Sequence, residues 1–306
     1  MNAPIQRHPL LCRATVALVA VVALLDPNTA WAQGERVGAI VVAHGGDSLW
    51  NAQVIDAAKA ARTGGPVEVS FLMGPAAKTM RFQDAVAKLE KAGVSAVVVV
   101  PMLVSSHSGH FDQIRYLAGT LDTLDETMMH HLHMGGIERS KTKLALRMAS
   151  ALDDAPEMAR VLSDRALALT TEPATRALFI VGHGPNSAEQ YAQWMKYLRR
   201  VADSVKVMTG FKDVRVDLVR DDAPAEVRAE AVLRVRELIE LQQKVTGQEV
   251  IVVPVLVSTG SVSRDKVPND IKGLAAKYTG SPLLPHPSMT RWIERQVRTG
   301  SATALQ

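Results

Sequence analysis

Cysteine is almost missing from this sequence, since Cys12 is the only one among 306 residues. It lies in a leading segment that we expect to be removed, so the remaining chain would have neither disulfides nor thiolate chemistry. Any metal site must then use histidine, carboxylate, methionine or backbone oxygen ligands. Blocks of lysine and arginine are also missing and the formal net charge is only +4, so we expect no nucleic-acid partner.

Two further absences narrow the possible functions. The sequence has no phosphate loop of the form Gly-x-x-x-x-Gly-Lys-Ser/Thr, which argues against an activity driven by nucleotide hydrolysis. No segment after residue 33 is apolar enough for a membrane span, which needs about 20 consecutive apolar residues.

The first 32 residues have the pattern of a secretory signal peptide. A basic start precedes a twelve-residue apolar run at 14–25, and an Ala-Trp-Ala cleavage pattern ends at Ala32. The run is too short to cross a bilayer comfortably. We therefore expect segment 1–32 to be cleaved and the protein to be periplasmic or secreted, with no stable membrane span. An uncleaved anchor is the alternative.

The two halves of the chain repeat one plan. The stretch VVVVPMLVSSHSGH at 97–110 returns as VIVVPVLVSTGSVS at 250–263, with seven of the first ten positions identical. The stretch GAIVVAHGG at 38–46 similarly resembles RALFIVGHGP at 176–185. Internal duplication predicts two lobes of the same fold. The predicted boundaries are 33–152 for the first lobe, 153–174 for a crossover and 175–306 for the second lobe.

Apolar β-branched runs alternate with helical patterns in each half. The runs predicted as strands are 37–43, 67–72, 95–101 and about 128–134 in the first half, and 176–182, 212–219, 249–256 and 281–284 in the second. Continuously apolar runs are typical of strands covered on both faces in a parallel sheet. The pattern predicts an α/β fold of two duplicated doubly wound lobes, each a four-stranded parallel sheet flanked by helices.

Histidines follow the predicted strands where parallel sheets bind ligands. His44 ends the first strand, and His107 and His110 come just after the third. Ligands bind beyond the carboxyl ends of such strands, where strand order reverses, and the order 2-1-3-4 would make these two strands neighbours. The three imidazoles would then converge into a site for a divalent ion, with Gly45 and Gly109 allowing close approach. The alternative is that His-Gly only forms a strand-to-helix turn.

Six motifs spread over 36–298 resemble a known family. They are VVAHGG, VVVVPMLVSSHSGHFDQI and HLHMGGIERSKTKLALRMASAL in the first half, and VGHGPNSAEQY, VIVVPVLVSTGSVSRDKVPNDI and SPLLPHPSMTRWIERQV in the second. These stretches resemble class II metallochelatases of the CbiX type, the sirohydrochlorin cobaltochelatase/ferrochelatase proteins. The resemblance implies a lyase that inserts a divalent metal, Co²⁺ or Fe²⁺, into a tetrapyrrole such as sirohydrochlorin without ATP. It also implies a cleft between the lobes.

The resemblance implies roles for individual residues. His44 matches the first metal-binding histidine of the family and His110 best matches the second, so both are expected to bind the ion and act in catalysis. His107 shares or takes the second role in an alternative assignment, because Pro101 and His110 are one residue further apart than expected. The other residues expected to contact bound ligand are Gly45, Ser105, Ser106 and Gly109.

The sequence departs from the family after the second strand, where Met73 stands in place of the usual glutamate. A thioether cannot accept a proton, so proton removal would fall to His44, His110, Asp112 or another group. The missing carboxylate and the export signal support an alternative function, a non-catalytic periplasmic protein that binds a metal or a tetrapyrrole. A duplicated lobe acting only as a scaffold would leave the histidines unexplained.

Two other histidine positions have open interpretations. His130, His131 and His133 fall on the predicted fourth strand, where His131 and His133 would share a face. They would form an additional metal site or a histidine-rich edge facing solvent. In the second lobe, residues 260–262 occupy the loop that carries the histidines of the first, so we expect His183 to have no partner in that loop.

Overall fold

Two four-stranded parallel sheets with the same strand order form the frame of the protein. The computed structural model describes Met1 and residues 35–302, so the predicted signal segment lies, apart from Met1, outside the described residues. The first sheet has the order β2-β1-β3-β4 and the second β6-β5-β7-β8. This confirms the predicted fold class and strand order. The strands are β1 Val37–Ala43, β2 Val67–Phe71, β3 Ala96–Met102, β4 Ala145–Met148, β5 Ala177–Gly182, β6 Asp213–Leu218, β7 Val250–Val255 and β8 Ala276–Tyr278.

Helices cover the sheets. Their bounds are α1 Ser48–Ala60, α2 Gly74–Ala77, α3 Phe82–Lys91, α4 Gly109–Leu117, α5 Glu126–Met134, α6 Pro156–Leu167, α7 Ala188–Thr209, α8 Ala225–Thr246, α9 Val267–Asp270 and α10 Pro287–Ala302. A π-helical turn at Val262–Lys266 precedes α9. Within the described part of the chain, no helix combines the length and the apolar character needed to cross a bilayer.

The central strands of both sheets are buried along almost their whole length. Strands β3, β5 and β7 are buried at every position, and β1 at every position except Val37. Such strands have no solvent face, so their apolar residues run continuously instead of alternating. One continuous apolar cluster includes residues of both lobes, among them Val98 and Val253.

The predicted fourth strand of each lobe is wrong. Residues 128–134 belong to helix α5, whose N-terminus is capped by Asp125 through a 3.0 Å bond from the Met128 amide, and the strand lies at 145–148. In the second lobe the fourth strand is 276–278, before the predicted 281–284. Both observed strands are short and none of their residues is fully buried. They therefore lack the long apolar run that marks a central strand.

Two helices pack on the lobe to which they do not belong in chain order. Helix α6, inside the predicted crossover, packs on α7 and β7 of the second lobe, whereas α10 at the end of the chain packs on α1, β1 and β3 of the first. Helix α10 also contacts α6, and Arg295 donates two 2.7 Å hydrogen bonds to the Glu157 carboxylate. Trp292 of α10 is fully buried in the shared core. The two lobes are therefore stabilised together.

Replacing Trp292 with alanine is expected to lower the free energy of unfolding by about 3–5 kcal/mol, because it removes a large, fully buried side chain. Both lobes should still unfold in one transition, since α10 belongs to one lobe and packs on the other. Denaturant unfolding followed by circular dichroism measures both properties. Leu233→Ala, at a site on α8 that is 56% exposed, is the control and should change stability by less than about 0.5 kcal/mol. Equal stability of the two variants would contradict the proposed role of α10.

Candidate active site

A cleft of about 800 Å³ lies where the carboxyl ends of the central strands of the two sheets face each other. Its size suits a small-molecule ligand. The first lobe contributes the loops after β1 and β3, and the second lobe the loops after β5, β6 and β7. The titratable and glycine residues on its walls include His44, Gly45, Gly109, His110, His183, Asp222 and Lys266.

His44 enters the cleft directly after β1, in a single orientation. Gly45 adopts φ +96°, and its carbonyl accepts a 2.7 Å hydrogen bond from the His44 Nδ1–H. A side chain on Gly45 would place its Cβ 2.4 Å from the Met73 carbonyl oxygen, so this turn requires glycine. A carbonyl can only accept, so Nδ1 carries the proton and Nε2 has a free lone pair.

His110 lies in the first turn of α4, and a buried amide orients it. Its Nδ1–H donates to the Gln113 Oε1 at 2.8 Å, while the Gln113 amide nitrogen donates to the Met128 carbonyl at 2.7 Å. This second bond fixes which end of the amide faces the imidazole. The rings of His44 and His110 meet edge to face with centroids 4.5 Å apart. The structure thus presents two imidazoles side by side, each with Nδ1 engaged and Nε2 free.

The environment keeps both imidazoles neutral. Burial, followed by the nearby charge of His44, lowers the pKa of His110 to about 4. Burial also lowers the pKa of His44, with the Gly45 hydrogen bond opposing the shift and the charge of His183 adding to it. Neutral imidazole is the form that binds metal ions. The pair is therefore ready for a cation at neutral pH.

His107 does not join the other two histidines. Its ring stacks on Tyr197 of α7 with centroids 5.6 Å apart, and its carbonyl accepts a 2.7 Å hydrogen bond from the Trp194 Nε1–H. The prediction that three imidazoles meet is correct for His44 and His110 and wrong for His107. The loop after β3 turns the His107 side chain toward the second lobe instead of into the cleft.

The two serines predicted to contact ligand stabilise the loop instead. Ser105 is buried and its Oγ accepts from the His107 amide at 3.1 Å. Ser106 donates to Asp153 from both its amide and its hydroxyl at 2.7 Å. Neither serine lines the cleft, whereas Gly45 and Gly109 do. A Cβ on Gly109 would lie 2.7 Å from the Met128 Sδ, so this glycine makes room for α5.

His183 has a partner in the loop after β6, outside the loop that the prediction concerned. Its Nδ1–H donates to the Gly184 carbonyl at 2.7 Å, and its Nε2 lies 3.0 Å from Asp222 Oδ2 and 4.0 Å from Asp221 Oδ2. Both ring nitrogens face acceptors, so the ring is an imidazolium. Burial opposes this charge, but the hydrogen bond and charge of Asp222 raise the pKa of His183. His183 in turn lowers the pKa of Asp222 to about 2.

Sequence reasoning missed Asp222 because it lies in the loop after β6, outside the repeated motifs. Strand register provides the signal that could have found it. Leu218 pairs with Gly182 just as Phe71 pairs with Ala43. The dipeptide Asp221-Asp222 therefore follows the second strand of its lobe where Gly74 and Pro75 follow the second strand of the first.

Ligand atoms of His183, Asp221 and Asp222 all lie within 4.8 Å of one another, a spacing that could hold a metal ion. Asp221, however, already accepts from Arg228 Nε at 3.1 Å and from Lys266 Nζ at 2.5 Å. Two permanent cations thus occupy both oxygens of this buried carboxylate. The surroundings favour a proton on His183 over a second dication.

The histidine cluster of α5 is arranged differently from the prediction. On a helix, His131 and His133 do not share a face, so the interpretation as a His-x-His pair is wrong. The charge of His131 contributes to lowering the pKa values of His44 and His110, but the residue does not line the cleft. Its Nδ1 is buried and has no hydrogen-bond partner among residues 35–302.

Comparison of this chain with known proteins identifies a family and solved structures that share its fold. The family model described as CbiX matches residues 38–169 and again residues 177–300. A search of the curated proteins found no match to this chain. SirB from Bacillus subtilis with Fe³⁺ shares the fold at 16% identity and a TM-score of 0.59, over 88% of this chain and 97% of that one.

Two further solved structures have the same architecture. The sirohydrochlorin chelatase SirB from Bacillus subtilis subspecies spizizenii in complex with cobalt is 14% identical, with a TM-score of 0.58 over 87% of this chain and 96% of that one. DR2241 from Deinococcus radiodurans, a multi-domain protein with structural similarity to chelatases, is 18% identical. Its TM-score is 0.58 over 87% of this chain and 56% of that one.

The imidazoles of the cleft are expected to titrate in a defined order. As the pH falls, His183 should protonate above pH 6.5, whereas His44 and His110 should protonate below it. Imidazole ¹H–¹⁵N NMR spectra, assigned with single His→Gln variants, measure this order. Asp222→Asn should lower the pKa of His183, and Asp203→Asn on the exposed face of α7 should leave it unchanged.

The raised pKa of His183 also predicts that the stability difference between wild type and Asp222→Asn depends on pH. Because the folded-state pKa of His183 is raised, its stabilisation is fully present below the unfolded value near 6.5 and is lost as the pH rises through the folded value. The variant should therefore lose more stability, relative to wild type, at pH 6 than at pH 9. An equal loss at both pH values would contradict the ion pair.

Proposed function

This chain belongs to the CbiX family, and we propose that it inserts a divalent metal ion, Co²⁺ or Fe²⁺, into a tetrapyrrole ring without nucleotide hydrolysis. The observation that carries the proposal is the pairing of two neutral imidazoles, His44 and His110, on the wall of a cleft of about 800 Å³. The relatives of the same fold named with iron and with cobalt support the choice of ion, and the one named a sirohydrochlorin chelatase supports sirohydrochlorin as substrate.

The two imidazoles suit a metal ion that is bound temporarily and then transferred to the tetrapyrrole. Each has Nδ1 held by a fixed acceptor and offers Nε2 as a ligand, which is the usual arrangement around protein-bound metals. Imidazole nitrogen binds borderline ions such as Co²⁺ and Fe²⁺. Two neutral ligands hold such an ion without the charge of a carboxylate, and the remaining coordination positions stay open to water or to pyrrole nitrogen. The metal is a substrate in this scheme and leaves with the product.

Insertion also requires proton removal. The ion loses its water ligands and forms four bonds to ring nitrogens, while two pyrrole N–H bonds break and two protons leave. Met73 follows β2 and cannot accept a proton. Another imidazole or carboxylate must therefore receive them.

Binding without insertion is the alternative function, and Met73 favours it because the position lacks a carboxylate. One assay separates the two functions. A binder retains the ion or the tetrapyrrole without forming the metallated product, whereas a chelatase forms it repeatedly.

The purified protein is expected to metallate sirohydrochlorin with Co²⁺ faster than the uncatalysed reaction, as followed by absorbance. His44→Ala and His110→Ala should lower the rate by about 10²-fold or more, because each removes one ligand of the pair. His107→Ala is the matched control, since this histidine stacks on Tyr197 outside the cleft, and it should retain activity. A wild-type rate equal to the uncatalysed rate would refute the proposed function.

Gln113→Leu is expected to weaken Co²⁺ binding by about 10–100-fold, because it removes the acceptor that orients His110. Isothermal titration calorimetry measures the change. Gln113→Glu retains an acceptor for the His110 Nδ1–H but loses the donor to the Met128 carbonyl, so it should preserve more of the affinity than Gln113→Leu. If the two variants bind Co²⁺ equally well, the amide does not orient a metal ligand.

A further inference from the structure

We propose that His183 and Asp222 are the proton acceptors of this cleft, so that the second lobe takes the protons of the tetrapyrrole while the first holds the ion. The inference rests on the proposed function and deepens it. It assigns a chemical role to a histidine for which the sequence offered no partner.

The two lobes build His44 and His183 with the same local geometry. The Met73 amide donates to the His44 carbonyl at 2.8 Å, and the Arg220 amide donates to the His183 carbonyl at 2.6 Å. Each Nδ1–H donates to the carbonyl of the following glycine at 2.7 Å. Both side chains line the same cleft. Duplication has thus placed two similarly oriented imidazoles in one cavity.

The second ligand of the first lobe has no counterpart in the second. Met102 pairs with Ala43 and Val255 pairs with Gly182, so His110 corresponds by register to Ser263. The Ser263 hydroxyl is engaged with the Gly260 carbonyl at 3.0 Å. His183 therefore cannot form an imidazole pair, and the carboxylate of Asp222 lies at its Nε2 instead. An imidazole next to a carboxylate is an arrangement for moving protons.

Charge around His183 disfavours the competing role of metal ligand. Asp221, Asp222, Lys266 and the Arg228 partner of Asp221 surround it on the second-lobe side, and His44 and His110 contribute from the first lobe. A dication at this point would displace the proton that faces Asp222 and would lie near Lys266. A proton exchanges there at far lower electrostatic cost. Asp222 has a side chain that is 66% exposed, so the proton has a path to water.

The proton balance of insertion can be written through this pair. The resting imidazolium first releases its Nε2 proton through Asp222 to water, a loss favoured by repulsion when a dication binds at His44 and His110. The neutral Nε2 then takes one pyrrole proton, and the N–H electron pair stays on the ring nitrogen that binds the metal. Asp222 passes that proton to solvent, and the cycle repeats for the second. Two N–H bonds break, two protons reach water, and nothing is oxidised or reduced.

The pair also replaces the group missing after β2. Met73 and Arg220 occupy matching positions, as their amide bonds to His44 and His183 indicate. Asp222 follows Arg220 by two residues and lines the cleft, whereas no carboxylate follows Met73 in the corresponding loop. The chain thus retains a carboxylate beside a strand-end histidine, but in its second lobe.

Steady-state metallation of sirohydrochlorin with Co²⁺ tests the assignment. His183→Gln and Asp222→Asn should lower kcat by about 10²–10⁴-fold, with KM and the Kd for Co²⁺ changed by less than about 3-fold. The pH dependence of kcat in the wild type should be flattened in His183→Gln. Asp265→Asn, at an exposed position in the same π-helical turn as Lys266, is the matched control and should leave kcat unchanged.

A second measurement does not depend on turnover. Calorimetry in buffers of different ionisation enthalpy counts the protons released when Co²⁺ alone binds. Wild type should release about one proton more than His183→Gln near pH 6.5. This measurement tests whether the bound ion expels the His183 proton, and it does so even if the wild type fails to insert metal, a failure that would refute the proposed function.

Three outcomes would overturn the inference. Loss of Co²⁺ affinity in His183→Gln would make the residue a metal ligand. A raised KM with unchanged kcat would make it a contact for substrate carboxylates. Equal proton release by wild type and His183→Gln would show that the imidazole does not give up its proton to the incoming ion. Circular dichroism of each variant checks that the fold is intact.

Discussion

The site depends on the same hydrogen bond in each lobe. The Nδ1–H of the histidine at the end of the first strand donates to the carbonyl of the next glycine. It requires a left-handed turn, which Gly45 and Gly184 supply at φ +96° and +87°. A Cβ would lie 2.4 Å from the Met73 carbonyl oxygen in one lobe and 2.8 Å from Leu218 Cβ in the other. Because the bond fixes the tautomer, it leaves Nε2 as the atom that faces the cleft. The chemical role of each histidine therefore depends on the group that lies next to its Nε2.

The two lobes differ in the neighbour of the Nε2 atom of the strand-end histidine. In the first lobe His44 Nε2 is free beside a second neutral imidazole, and in the second lobe His183 Nε2 is bonded to Asp222. The two arrangements support each other electrostatically. Burial, and to a smaller extent the positive charge of His183, lowers the pKa of His44 and of His110, which favours the neutral form of the first pair. A cation bound there would in turn repel the proton of His183. Under the proposed function, metal and proton would compete across the cleft.

How far the sequence predicts the fold depends on burial. The central strands β1, β3, β5 and β7 are predicted nearly to the residue, because burial on both faces gives a continuous apolar run. The edge strands β2 and β6 are also found, although polar residues interrupt their apolar residues. The edge strands at 145–148 and 276–278 are missed, because a short strand with one open edge needs no such run. Residues 128–134 fold as a helix because Asp125 caps it and only Leu132 is buried.

The site is predicted less completely because side-chain direction in loops is not periodic. His44 and His110 are found from their places after neighbouring strands. His107 fits the same argument, yet its side chain turns outward, since a loop does not fix which residue faces the ligand. Gln113 and Asp222 are missed because they act on a histidine and belong to no repeated motif. Comparing the second strands of the two halves would have revealed Asp222.

The proposed function requires the two lobes to be held at a fixed separation, so that the ion and the proton acceptor can reach the same ring. Hydrogen bonds cross between them at the rim of the cleft, among them Trp194 to the His107 carbonyl at 2.7 Å, Ser258 to Gln53 at 2.6 Å, and Arg264 to Asp47 at 2.7 Å. Helix α10 adds apolar packing between the lobes behind the cleft. This arrangement explains His107 without a ligand role, since its backbone bonds to Trp194 and its ring stacks on Tyr197. The alternative ligand of the sequence analysis thus contacts the second lobe instead of the cleft.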